Sequence, residues 1–438
     1  MQAQHSCHKG KVLVLGNDSR VLLAVIRSLG RRGLSVHAGW CPADAPALRS
    51  RYLSRVHDLA GYDPQGDRWK NDLIRLMKQE RFDLVVPCND PAVVPLQLHR
   101  QDFEPHGRIY LLDDRAFQVA FDKLHTDELA RSLGIPVPNG LRVNGRTPPH
   151  RVFDVLHPPV FVKPRSSVTG ADVLHKRPVR PACNARELNE ILQQFGPGEE
   201  VLVQERVGGI GVGVEVLADR GEVLVAFQHV RLHESETGGS TYRQSVAVQP
   251  ELREAAGKLM KALDYTGVAM VEFRVILGTG QWALMEINGR FWGSLPLAVA
   301  AGADFPYYLF QLLVEGRREF SPAYRTGICC RNLVEDLRWM WRGGSASGPG
   351  PSRLSFGLLR DAWRIATLRD HIDHYAADDR IPGLFEIRSL LQSFTRKAQS
   401  QLRRFSAKAA PIVDAASPCT RAAAMSRPAH KALERSEP

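Results

Sequence analysis

The features this 438-residue chain lacks narrow its class first. It has seven cysteines, at 7, 41, 88, 183, 329, 330 and 419, odd in number, scattered and without a CxxC spacing. That argues against a disulfide-stapled fold and offers no zinc or redox pair, so reduced, mostly buried thiols are expected. No apolar run approaches the roughly 20 residues needed to span a bilayer. The N-terminus turns polar after only a few apolar residues, unlike a secretory signal, so a cytoplasmic protein with no membrane partner is expected. A GxGxxG fingerprint, a GxSxG elbow, a Cys/His nucleophile signature and an internal repeat are all missing.

What remains is a globular composition, 44% hydrophobic and 24% charged, long enough for two or three domains. The net charge of +11 suggests nucleic acid, but residues 396–438 alone supply +6 of it, through nine Lys/Arg against three acids. That stretch is rich in Ala, Ser and Pro and weakly periodic, as a disordered tail would be. It carries no aromatic platform, so no specific nucleic-acid partner is expected. An RNA-associated protein acting through the basic tail stays open as an alternative.

Along the first hundred residues, apolar runs alternate with helical patterns: "KVLVLG" (11–16), "SRVLLAVIRSLGRRG", "LSVHAGW", "WKNDLIRLMKQERF", "DLVVPC" (83–88) and "RIYLLD" (108–113). This order predicts an α/β unit, an open and mostly parallel sheet with helices on both faces. Ligands on such sheets gather at the carboxyl ends of strands, here Gly16–Ser19 and Asn89–Asp90. Helix capping by Asp18, Ser19 or Asp90 is an equal reading of the same residues. Next comes a helix expected to end at Gly134, then "PVFVKP" (159–164), "EVLVQERV" (200–207) and a series of hairpin-connected strands, which indicate an α+β unit.

"LMEINGRFWG" (284–293) runs an apolar strand into Glu286, Asn288 and Arg290, which share one face because strand side chains alternate. The preceding strand, "GVAMVEFRVI", offers Glu272 for cross-strand pairing with Glu286. Two facing carboxylates repel unless a proton or metal separates them. Magnesium prefers oxygen ligands, which suits Glu272, Glu286 and the Asn288 amide oxygen, and manganese fits the same set. Arg290, one strand step beyond, would bring a planar fork to phosphate oxygens. Lys163, after Pro-Val-Phe-Val, would be a poor choice in a buried strand without an anionic partner. In "RLHESETGGS" (231–240), Gly239 with Arg231 reads either as an anion-binding loop or as a plain hairpin tip.

"FDK" (121–123), "FVKP" (161–164), "VQERV" (203–207), "VEF" (271–273) and "EINGRFWG" (286–293), in that order, resemble the ATP-grasp superfamily. The likeness is to carbamoyl phosphate synthetase-like carboxylate ligases, including a bacterial branch whose role is often unassigned. It covers roughly residues 10–320. The resemblance implies a pre-ATP-grasp domain over 1–112 and a two-lobed ATP-grasp domain over 113–320, with lobes of about 150–207 and 208–320. A helical extension (321–395) and the basic tail (396–438) follow. It further implies ATP and Mg2+ as cofactors, with Lys123 and Lys163 on the nucleotide phosphates and a flap over them. In that flap, "RSSVTGADV", the one glycine is Gly170. Gln204, Glu205 and Val207 would stand beside the adenine, the metal would be held by Glu272, Glu286 and Asn288, and Arg290, Lys163 and Asn288 would serve catalysis. Asp90, Arg231, Gly239 and Arg290 would meet substrate. The implied activity couples a small-molecule carboxylate to an amine through an acyl phosphate. An oligomer, a dimer in the first instance, is the expected assembly, and a non-catalytic ATP-binding regulator is the other alternative.

Overall fold

Short runs of Val and Leu, bounded by Gly, Asp and Asn, build the first sheet. The computed structural model describes residues 10–235, 238–341, 361, 363–365, 367, 369–390 and 392. Strands β1 (Lys11–Leu15), β2 (Ser35–Gly39), β3 (Leu53–Val56) and β4 (Leu84–Pro87) are parallel, in the order β3-β2-β1-β4. β4 is buried throughout and β1 beyond its first residue, as expected of parallel strands covered on both faces. Between β1 and β2, the helix Ser19–Arg31 is capped by the Asp18 side chain, which accepts from Arg20 N at 3.1 Å, so the capping reading of "GNDSR" holds.

Two expectations are corrected here. The strand expected over 108–113 shrinks to one parallel bridge between Ile109 and Val85. The Gln97 side chain takes both backbone groups of Leu112, at 3.2 and 2.9 Å, and so removes the partners a longer ladder would use. The helix expected to run on to Gly134 is two, Asp114–Ala120 and Lys123–Ser132. Asp122 breaks the run by capping the second, accepting from Leu124 N and His125 N at 2.9 and 3.3 Å. Edge strand β3 was not anticipated, because its half-exposed "LSRV" carries no apolar run.

The second sheet is antiparallel: β5 (Gly140–Asn144), β6 (Val160–Pro164), β7 (Arg180–Ala182) and β8 (Glu200–Glu205), in the order β5-β8-β6-β7. Its apolar face packs under the helix Ala185–Leu192.

The third sheet comprises β9 (Ile210–Asp219), β10 (Glu222–Glu234), β11 (Ser240–Val246), β12 (Gly267–Val275), β13 (Trp282–Asn288), β14 (Cys329–Arg331) and β15 (His371–Ile372). Their order is β13-β12-β9-β10-β11-β14-β15. The stretch beyond 320 is therefore not the purely helical extension expected. It carries the helix Leu333–Trp341 but also lengthens the third sheet by two strands. Arg331, fully buried, explains the docking: its guanidinium meets Asp336, Asp361 at 3.2 Å and Asp370 at 2.8 Å. The basic tail lies outside the described residues. No single helix among the described residues is long and apolar enough to cross a membrane.

Candidate functional site

β12 and β13 pair with Glu272 directly opposite Glu286, and a register shift follows at Phe273. Asn288 Nδ2 donates to Glu272 Oε1 at 3.3 Å and to Glu286 Oε1 at 3.1 Å, bridging the two carboxylates. Burial raises the Glu286 pKa, but Lys123, the Asn288 amide, Lys163 and Arg290 outweigh it and hold the carboxyl below its ordinary value. Glu272 is also gripped from β10, with Arg231 Nη2 2.6 Å from its Oε2. The site thus concentrates two carboxylates and an amide within reach of several cations. Its hard oxygen donors could hold a magnesium-class cation, and the surrounding lysines and arginines suit an anionic ligand beside it.

The lysines arrive from separate elements. Lys163 lies on β6 with 7% of its surface exposed, and burial pushes its ammonium down to about 8 although Glu286 and Glu272 favour the charge. Lys123 opens its helix, and its Nζ donates to Ser167 Oγ at 3.1 Å. Residues 165–170 fold over this end of the site. Lys123 N bonds Arg165 O at 2.8 Å, Ser166 Oγ donates to Phe121 O at 2.7 Å, and Tyr62 Oη donates to Gly170 O at 2.6 Å. Val168 and Val173 pack with Val94 against Tyr62, Phe117 and Phe121, which ties this flap to the first sheet's helices.

A cavity of about 500 Å3 lies beneath the flap. Asp90, Lys123, Gly170, Glu286, Asn288 and Arg290 all line it. Asp90 opens the helix Asp90–Leu98 but does not act as its cap; its buried carboxylate pairs with Arg290, whose Nε and Nη2 face the two oxygens, Nη2 at 3.3 Å. Burial lowers the Arg290 pKa and Asp90 more than restores it, so the guanidinium is held more firmly protonated than usual. Arg290 Nη1 also donates to Phe291 O at 2.8 Å.

Two expectations fare differently. Gln204, Glu205 and Val207 do not line this cavity. The Glu205 carboxylate is occupied by His157 N at 2.7 Å and Asn139 Nδ2 at 2.9 Å, and its amide by Asn139 O, whereas Gln204 Oε1 is buried without a partner. Gly239 O accepts from Ser235 N at 2.8 Å, and Gly239 does not line this cavity. Glu236 and Thr237 of that loop lie outside the described residues. Conversely, the sequence reading missed the aromatic wall of Phe117 and Phe121, whose ring centroids are 4.6 Å apart, and the Arg165–Asp122 ion pair at 2.5 Å beside them. "FDK" held the signal in its first two letters, but only the lysine was read. Also unforeseen is the fully buried Glu215–His229 pair at 2.6 Å on β9 and β10, made room for by Gly213, where a Cβ would stand 2.4 Å from His229 Cε1.

Residues 198–335 match the family described as ATP-grasp in the biosynthetic pathway with Ter operon. The 3-methyl-D-ornithine–L-lysine ligase of Methanosarcina acetivorans is 29% identical over 223 residues, 50% of this chain and 53% of that protein. The carbamoyl phosphate synthase large chain of Thermomicrobium roseum is 25% identical over 49% of this chain and 20% of its own length. This chain therefore spans about half the length of the first relative and a fifth of the second. Among solved structures, N5-carboxyaminoimidazole synthetase from Staphylococcus aureus superposes with a TM-score of 0.58 at 17% identity, covering 76% of this chain and 85% of that one. Residues 198–335 thus match an ATP-grasp family, the chain is similar over about half its length to a carboxylate–amine ligase and a carbamoyl phosphate synthase, and it shares its fold with N5-carboxyaminoimidazole synthetase.

Proposed function

We propose that the protein is an ATP-dependent ligase that activates a carboxylate as an acyl phosphate and couples it to an amine or other nitrogen nucleophile. The observation that carries this reading is the Asn288 amide bridging Glu272 and Glu286, with Glu286, Asn288, Arg290 and Lys123 lining one cavity. Two facing carboxylates set among lysine and arginine side chains are costly in a merely structural hairpin and useful beside a polyphosphate.

In this reading Glu272, Glu286 and the Asn288 amide oxygen hold magnesium, or manganese, which would neutralise phosphate charge. Lys123 and Lys163 bind the nucleotide phosphates, with Gly170 and its neighbours closing over them. Gln204, with its unpartnered buried oxygen, and the backbone at Glu205 and Val207 are the proposed neighbours of the adenine. A substrate carboxylate oxygen attacks the γ-phosphorus as the bond to the β-phosphate oxygen breaks, and ADP leaves. The nitrogen nucleophile then attacks the acyl carbon, the carbon–oxygen bond to phosphate breaks, and phosphate leaves. Arg290, oriented by Asp90, stabilises charge on the transferred phosphoryl group, while Arg231 fixes Glu272. Catalysis on this plan comes from positioning and electrostatics, without a protein nucleophile.

The test is incubation with MgATP and pooled carboxylates and amines, following ADP release and new product masses. Substrate-dependent ADP release that falls at least 100-fold in a folded Glu286→Gln variant is the expected result. Wild-type turnover in that variant would remove the carboxylate pair from the mechanism.

A further inference from the structure

We propose that His37, His57 and Glu80 form a separate cation site on the first sheet, for a transition metal of the zinc class. His37 projects from β2, His57 follows β3 by one residue, and Glu80 ends the helix Arg68–Glu80. His37 Nδ1 and His57 Nε2 face each other at 2.8 Å. One ligand atom from each of the three residues lies within 4.8 Å of the other two. None of the three lines the large cavity, so the cluster is independent of the site proposed for magnesium.

The donor set decides the class of metal. Two imidazole nitrogens and one carboxylate oxygen are a zinc set, whereas magnesium takes oxygens. The rings are already oriented. They stack on each other with centroids 5.0 Å apart, and Phe82 meets both edge-on at 5.2 and 6.3 Å. At their present separation only one of the facing nitrogens can carry a hydrogen. Moving that hydrogen to the outward nitrogen of the same ring frees both lone pairs. Zinc–nitrogen bonds of roughly 2.0–2.1 Å then require the nitrogens to part by only about half an ångström.

Glu80 is the ligand that has to be released. Its Oε2 is 2.9 Å from Lys11 Nζ and its Oε1 is 3.0 Å from Arg55 Nη1. The Arg55 side chain is 63% exposed, and an ion pair so open to water is worth little, so Oε1 is the oxygen that turns to the metal. Arg55 therefore competes with the cation for Glu80, which gives the site a signature that a bare histidine pair does not share.

The experiment titrates chelator-treated full-length protein, without nucleotide, with zinc chloride against a chromophoric competitor. One zinc per chain is expected, with affinity falling at least tenfold in His57→Ala and in His37→Gln, and rising several-fold in Arg55→Ala. Arg55 is exposed and His57 only partly buried, so these two variants keep the test valid if His37→Gln fails to fold. Zinc affinity unchanged in His57→Ala, no zinc bound by the wild type, or no gain in Arg55→Ala would each overturn the assignment.

Discussion

At the scale of single residues, the site is held together by charges that would be unfavourable alone. Lys163 is the clearest case. An unfolded chain holds its proton up to the ordinary lysine value of 10.5, the folded chain only to about 8, so between those values the unfolded state binds more protons. Stability contributed by this residue therefore rises with pH through that window, and at neutral pH its charge opposes folding. Lys163→Met should stabilise the nucleotide-free protein at pH 7 by on the order of 1–3 kcal/mol while weakening ATP binding, because methionine keeps the apolar stem and loses the charge. Thermal melts at pH 7 and pH 9.5 check the first part, with the gain shrinking at the higher pH, and calorimetry with ATP checks the second. Asp90 shows the converse. Asp90→Asn would leave the buried Arg290 guanidinium without its counter-charge, so a loss of about 2–4 kcal/mol in chemical denaturation is expected. Substrate-dependent turnover should fall with it, since Arg290 loses its orientation.

At the scale of elements, legibility followed periodicity. The paired carboxylates could be read because two apolar strands separated by "LGTGQ" have a defined register, and Glu272 does face Glu286. Lys163 could be singled out because a charge inside an apolar run is costly without a partner and Arg290 because it shares the strand face of Glu286 and Asn288, whereas Lys123 came only from the resemblance of "FDK". What could not be read depended on contacts between distant segments: Arg290 with Asp90, Arg231 with Glu272, and the two strands supplied beyond residue 320. A two- or three-residue strand such as β14 or β15 has too few residues to show a period of two. The flap is the element whose placement sequence pattern could least suggest, because a single glycine in "RSSVTGADV" says nothing of what it rests on. The structure rests it on Tyr62 and on the Val94, Phe117 and Phe121 cluster. Tyr62→Phe removes one hydrogen bond, worth about 1 kcal/mol, while keeping the ring. Hydrogen exchange over residues 165–177 should rise several-fold, and the apparent Michaelis constant for ATP should increase with little change in global stability. Exchange like that of the wild type would mean that the apolar packing alone holds the flap.

At the scale of the molecule, residues up to 388 form one compact unit, and the segment after β15 shows how its ends are joined. Asp379 accepts from Arg27 Nε at 2.9 Å, Ser50 Oγ at 2.7 Å and Arg51 N at 3.0 Å, while Arg27 Nη2 reaches the carbonyls of His374 and Asp379 at 2.8 and 2.7 Å. Asp378 adds Arg31 at 2.7 Å and Tyr52 at 2.7 Å. This segment follows β15, the last strand of the third sheet, and it grips the helix that leads out of β1, so the first and third sheets are bound through it. Arg27 and Asp379 are nearly inaccessible, with 6% and 1% of their side chains exposed, so the pair is not screened as a surface ion pair would be. Asp379→Asn leaves Arg27 buried and uncompensated, and a loss of about 3–5 kcal/mol is expected. Because the strap joins both sheets, the variant should still unfold in a single transition, at lower denaturant, when followed by tryptophan fluorescence and far-ultraviolet dichroism together. Two separated transitions in the wild type would show that the first sheet unfolds on its own, and would reduce the strap from a coupling element to a local contact.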